Sequence, residues 1–132
     1  MNLFDDSYNS APDSVKASLK SLKIYGKNQG HRMIVVLGTM SELGEFAIEA
    51  HKAIGVAVAD IKPEILITVG KLAIQIGLTA QIAETYHFND SIEAGEKIVS
   101  LIQPGDYILV KGSRVMGMES IVKAIEEGFS LD

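Results

Sequence analysis

The sequence predicts an α/β domain, three layers deep and Rossmann-like, with a mostly parallel sheet flanked by helices. Three observations carry this. Met33-Ile34-Val35-Val36-Leu37, Ile65-Leu66-Ile67-Thr68-Val69 and Tyr107-Ile108-Leu109-Val110 are runs dominated by aliphatic, often β-branched residues, as in strands buried on both faces. Longer stretches with apolar residues at helical spacing alternate with these runs, the pattern of successive βα units. The first two runs each stop at a glycine, Gly38 and Gly70. The 132 residues suffice for one domain with its own core. No low-complexity tract, long linker or internal repeat divides them, so 1–132 reads as a single domain.

Along the chain, Leu3-Phe4 is a short stub of strand ending at Asp5-Asp6. Pro12 sits where a first helical turn tolerates proline, and Val15, Leu19 and Leu22 form one face of the helix it opens. A polar turn, Gly26 to Gly30, leads into the strand that Gly38 closes. The second helix is expected from about Glu42 to Ala59, with Ala47, Ala50, Ile54 and Val58 inward. Pro63-Glu64 starts the next strand. A short helix from about Leu72 to Leu78 and a strand from Ala83 to Phe88 follow. Asn89 or Asp90 can cap the helix carrying Ile98, Leu101 and Ile102. Pro104-Gly105-Asp106 turns into the last strand, and Met118, Ile121, Val122 and Ile125 mark the final helix.

Parallel strands joined by right-handed crossovers leave their C-terminal ends on one edge, where open α/β sheets bind ligands. The residues expected there are Asp5 and Asp6, Gly38-Thr39, Gly70-Lys71, Asn89-Asp90 and Lys111-Gly112-Ser113-Arg114. Carboxylates can accept ribose hydroxyls or hold magnesium, cations can neutralise phosphates or carboxylates, and glycines let a ligand approach the backbone.

Composition narrows the function. A net charge of −5 argues against non-specific binding to nucleic acid or an anionic membrane. The absence of cysteine excludes disulfides, thiolate nucleophiles and cysteine-ligated zinc. No apolar run approaches the roughly 18 residues needed to span a bilayer, and Met1 to Asp6 lack the features of a secretory signal. A soluble, cytoplasmic domain is expected. There is no Gly-x-x-x-x-Gly-Lys-Ser/Thr loop, no Gly-x-Gly-x-x-Gly turn and no Gly-x-Ser-x-Gly elbow. The histidines His31, His51 and His87 lack metal-ligand spacing, so they read as structural or surface residues and no metal site is assigned.

Three segments resemble a known family. Asp5-Asp6-Ser7-Tyr8-Asn9-Ser10-Ala11-Pro12 resembles the Asp-Asp-Ser-Tyr-Asn-Ala-Asn-Pro motif opening the C-terminal domain of the tripeptide–D-alanyl-D-alanine Mur ligases. Val36-Leu37-Gly38-Thr39-Met40-Ser41-Glu42-Leu43-Gly44 is similar to their Leu-Gly-Asp-Met-Leu-Glu-Leu-Gly segment, with His51 in the following helix. Val110-Lys111-Gly112-Ser113-Arg114 and Met118-Glu119 resemble their Val-Lys-Gly-Ser-Arg…Met-Glu ending. Ala11 replaces an asparagine of that pattern, Thr39 an aspartate and Ser41 a leucine.

The resemblance implies an ATP-dependent ligase in which an N-terminal UDP-sugar domain and a central P-loop domain binding ATP and Mg2+ lie outside this chain. In such a ligase ATP phosphorylates the carboxylate of UDP-N-acetylmuramoyl-tripeptide. The amine of D-alanyl-D-alanine then attacks the acyl phosphate and phosphate leaves. It further implies that Asp6, Tyr8 and Asn9 face the nucleotide, and that Lys111, Ser113 and Arg114 face the reacting peptide ends, with Lys111 and Arg114 in catalytic roles. Alone, the domain is expected to make no peptide bond. Two alternatives stand beside this reading. One is a receiver-like phosphoacceptor domain, imitated by Asp5, Asp6 and Lys111 but lacking an aspartate in Thr68-Val69-Gly70. The other is a non-catalytic binding module that keeps the ligase fold.

Overall fold

Each aliphatic run becomes a strand, and each stretch of helical spacing a helix on one side of the sheet. The computed structural model describes residues 2–6, 11–113 and 116–128. The elements are β1 (Asn2–Asp6), α1 (Pro12–Tyr25), β2 (Met33–Gly38), α2 (Ala47–Ile61), β3 (Ile65–Val69), α3 (Ile74–Ala80), β4 (Thr85–Phe88), α4 (Ser91–Leu101), β5 (Tyr107–Lys111) and α5 (Glu119–Gly128). The five strands lie in the order β1-β5-β2-β3-β4, and every pair is parallel.

Strand alternation sorts the core into two layers. Val35, Leu37, Leu66 and Leu109 pack with Val15, Leu19 and Leu22 of α1, Ile54, Val58 and Ile61 of α2, and Ile76 of α3. Ile34, Val36, Ile65, Ile67, Ile108 and Val110 pack with Ala94 and Ile98 of α4 and Ile121, Val122 and Ile125 of α5. The sheet is thus covered by α1, α2 and α3 on one face and by α4 and α5 on the other, the predicted three layers.

Several boundaries differ from the sequence reading for local reasons. β1 is longer than Leu3-Phe4, because Asn2 through Asp6 pair residue for residue with Tyr107 through Lys111. The helix expected from Glu42 starts at Ala47. Glu42 and Gly44 have φ of 63° and 57°, left-handed values that no α-helix accommodates, and a 3-10 turn (Gly44–Phe46) leads into α2. The third helix begins and ends two residues later than predicted, at Ile74 and Ala80. Of the two candidate caps for α4, Asp90 is the one used, its Oδ1 accepting from the Glu93 N–H at 2.9 Å.

The edge carrying the strand N-termini is held by an ion pair. Arg32 donates from Nε to Asp106 Oδ1 at 2.9 Å and from a terminal nitrogen to Oδ2 at 2.8 Å. Its guanidinium also reaches the Leu101 carbonyl at 2.7 Å, and Asp106 Oδ2 accepts the Gln103 N–H at 2.8 Å. The turn before β5 is thereby tied to the start of β2. Asp106→Ala removes the acceptor for all but the Leu101 contact, and we expect a loss of about 2–4 kcal/mol, read from the urea midpoint at unchanged m-value.

Candidate functional site

The connection leaving β1 runs to α1 on one face, and the one leaving β5 runs to α5 on the other. Adjacent parallel strands whose connections diverge open a crevice at their C-terminal ends. Here Asp5 is the register partner of Val110 and Asp6 that of Lys111, while Lys111 also pairs with Leu37 of β2. The start of the first motif and the start of the third therefore lie side by side at this edge. Tyr8, Asn9 and Arg114 lie outside the described residues; for Asp6 the backbone position is described.

Lys111 does not project toward solvent. It is 0% exposed, and its Nζ donates to Ser14 Oγ at 2.9 Å and Ser18 Oγ at 3.1 Å, both on α1. Ser113 follows at 6% exposure. Its N–H donates to the Thr39 carbonyl at 3.3 Å and its own carbonyl accepts from the Met116 N–H at 3.0 Å. Its hydroxyl is buried with no hydrogen-bond partner among the described residues. Native structures leave few such groups.

The strand-end glycines serve a different purpose from the one expected. A Cβ on Gly38 would lie 2.8 Å from the Met118 sulfur, and one on Gly112 would overlap the Met118 side chain. A Cβ on Gly70 would meet Thr39 Oγ1 and, at 2.9 Å, the Met116 methyl group. Methionines and Thr39 thus occupy the space that glycine opens. Thr39 bridges two elements: its N–H donates to the Val69 carbonyl at 2.9 Å, and its Oγ1 accepts from the Ala73 N–H at 3.2 Å.

His51 is fully buried. Its Nε2 accepts the Met40 N–H at 2.9 Å, which places the proton on Nδ1, facing the Ala47 carbonyl at 2.7 Å. Burial lowers its pKa from the ordinary histidine range, against an opposing pull from the Ala47 carbonyl. His87 Nδ1 lies 2.8 Å from Thr68 Oγ1, and burial lowers its pKa too. His31 stacks on Tyr107 with ring centroids 4.2 Å apart, at the opposite edge of the sheet. Each histidine thus has a contact within the protein. Among the described residues no group of three or more His, Cys, Asp or Glu side chains is placed to hold a metal ion.

Of the edge residues expected from sequence, Lys71 is exposed and Asp90 is spent on capping α4. The sequence reading missed the role of His51 as acceptor for the loop after β2. It also missed Ser14 and Ser18, whose four-residue spacing puts both hydroxyls on one side of α1. β3 carries no aspartate, and β1 is an edge strand, whereas a receiver-type sheet encloses its first strand. The receiver alternative is not supported.

A family model described as "Mur ligase, glutamate ligase domain" matches residues 1–114. The chain is 32% identical over 134 positions to the UDP-N-acetylmuramoyl-tripeptide--D-alanyl-D-alanine ligase of Bacillus subtilis, covering 96% of this chain and 28% of that protein. It is 35% identical over 127 positions to the protein of the same name from Escherichia coli, covering 95% and 27%. The chain therefore spans little more than a quarter of the length of these relatives. Among solved structures, MurF from Acinetobacter baumannii matches with a TM-score of 0.79 at 28% identity, over 95% of this chain and 27% of that one. MurF ligase from Thermotoga maritima, solved in complex with ADP, matches with a TM-score of 0.80 at 22% identity, over 96% and 28%, a likeness of fold. No helix among the described residues is long and apolar enough to cross a membrane.

Two outcomes follow from the packing of this edge. As pH falls past the ordinary histidine value near 6.5, the unfolded chain takes up protons on His51 and His87 before the folded chain does. Stability is therefore full above that value and lost below it, so the urea midpoint should drop between about pH 7.5 and 5.5. His51→Ala should weaken that drop, and at about pH 7.5 it should itself cost about 1–3 kcal/mol by leaving the Met40 N–H without an acceptor. Gly112→Ala should cost about 1–3 kcal/mol by overpacking Met118. A double-mutant cycle with Met118→Ala should recover part of that loss; strictly additive values would show that the two positions do not meet.

Proposed function

The chain belongs to the Mur ligase family, matching its glutamate ligase domain, and from that premise we propose that it is the C-terminal domain of an ATP-dependent peptidoglycan-precursor ligase joining D-alanyl-D-alanine to UDP-N-acetylmuramoyl-tripeptide. The observation that carries this is the register of β1 on β5, with Asp6 beside Lys111. Two motifs separated by nearly the whole sequence share one crevice, which supports a single site with a nucleotide side and a peptide side.

On this reading Asp6, with Tyr8 and Asn9, serves the ATP ribose and base. The Ser113 hydroxyl, buried and without a partner among the described residues, donates to an anionic oxygen at the reacting peptide ends, and Arg114 pairs with a carboxylate there. Lys111 stands behind them with its ammonium against α1. An N-terminal domain holds the UDP-sugar, and a central domain supplies the phosphate loop and Mg2+. The present domain closes over both, works in the cytoplasm where ATP is at hand, and forms no peptide bond by itself.

The similarity to ligases of this name along 95–96% of the chain supports the substrate assignment. The test combines the chain with the N-terminal and central domains of such a ligase and follows phosphate release and peptide formation. Ligation should require all three domains, and Asp6→Ala or Ser113→Ala should each lower kcat/KM by about tenfold or more. Peptide formation by this chain without a P-loop domain would refute the division of labour. Activity unaffected by both substitutions would refute the site.

A further inference from the structure

A lysine with no exposed surface is rare, because a buried ammonium must exchange all its water contacts for protein ones. Lys111 is 0% exposed, and its placement suits a mechanical task better than a chemical one. It ends β5, the strand between β1 and β2, with Asp6 as its register partner on one side and Leu37 on the other. From there its Nζ reaches Ser14 Oγ at 2.9 Å and Ser18 Oγ at 3.1 Å. Those serines fall in the first two turns of α1, one turn apart, on the side that also buries Val15 and Leu19.

The start of α1 needs such a tie. Its N-cap is Ala11, which makes no side-chain capping hydrogen bond, and its first residue is Pro12. Helices usually hold their first turn with a capping hydroxyl or carboxylate. Here a hydrogen-bonded cation from the sheet holds the same turns from the side.

We propose that Lys111 is a positioning residue that locks the first two turns of α1 to the end of β5, and thereby fixes the separation between Asp6 and Pro12, the two ends of the nucleotide-side motif. This rests on the functional reading above and moves Lys111 from the reacting peptide ends to the support of the nucleotide side. On this proposal the residue acts through α1 and touches none of the three substrates.

The experiment uses this chain combined with the N-terminal and central domains of such a ligase, with Lys111→Met, which keeps an unbranched apolar stem and removes the charge. KM for ATP should rise by about tenfold or more, while kcat and KM for D-alanyl-D-alanine stay within about twofold. In the same variant, amide hydrogen exchange in α1 should speed up by about tenfold, while amides of β2 and β3 keep their protection. A fall in kcat with an unchanged KM for ATP would place Lys111 at the reacting atoms and overturn the proposal. So would unchanged exchange in α1. If β2 and β3 also lose protection, Ser14→Ala and Ser18→Ala carry the measurement, and they must show the same rise in KM for ATP. An unsubstituted ligase without activity would instead sink the functional reading; the exchange data would still decide whether the lock exists.

Discussion

The sheet depends on one insertion: the last strand of the chain enters between the first and the second. β5 pairs along its length with β1 on one side and β2 on the other, so Tyr107 through Lys111 serve two ladders at once. A strand in that position must be apolar on both faces, and Ile108, Leu109 and Val110 are all buried. Its connection to α5 then leaves on the face opposite the connections from β1 and β2. The crevice is a consequence of that ordering, and so is the meeting of residues more than a hundred positions apart. A strand inserted this way couples the integrity of that edge to the integrity of the fold. The Arg32–Asp106 pair acts at the other end of the same strand, holding the turn that feeds β5 into its slot.

Polar groups at the C-terminal edge divide into those that hold loops and those left open. Strand ends and the first turns of helices present amides without backbone partners, and in a partly dry edge each needs an acceptor. His51 supplies one to Met40 and Thr39 supplies one to Ala73. Thr39 stands where the family pattern has an aspartate, and a hydroxyl is enough to bridge β2 to the start of α3 without placing a charge between them. Among the described residues the Ser113 hydroxyl is the buried side-chain atom without such a duty. Lys111, by contrast, already has its ammonium against Ser14 and Ser18.

The fold was legible because its signals are local. Buried parallel strands announce themselves as aliphatic runs, and α1, α4 and α5 as stripes at helical spacing. The Mur ligase resemblance was legible because three motifs occur in order. The strand order was not, since nothing local in Tyr107 to Lys111 says which neighbours it takes. The same holds for the methionines: Gly38 and Gly112 look alike in sequence whether a ligand or the Met118 side chain fills the space above them. The start of α2 was misplaced because Glu42 and Gly44 adopt left-handed backbone conformations, which glycine advertises and glutamate does not. Lys111 shows the limit most clearly. A cation at a strand end reads as a ligand contact until the serines of α1, about a hundred residues away in sequence, are brought beneath it.

On the proposed reading, electrostatics explains why this domain works as one wall of a cleft and not as a complete site. The chain carries a net charge of −5, while ATP and a UDP-linked peptide are polyanions. Screening limits the long-range repulsion to about 8 Å at physiological ionic strength, so the domain's overall charge opposes approach only when the walls are already near each other. Lys111 turns inward to α1, and Lys71 is exposed at the tip of β3, two strands away from the β1–β5 crevice. Neutralisation must then come largely from the opposing domain and its metal ion, with this wall adding short-range donors such as Ser113 and Arg114. Such donors gain strength only once water is displaced. A wall built this way contributes little to an open complex and much to a closed one, which ties its share of the chemistry to closure itself.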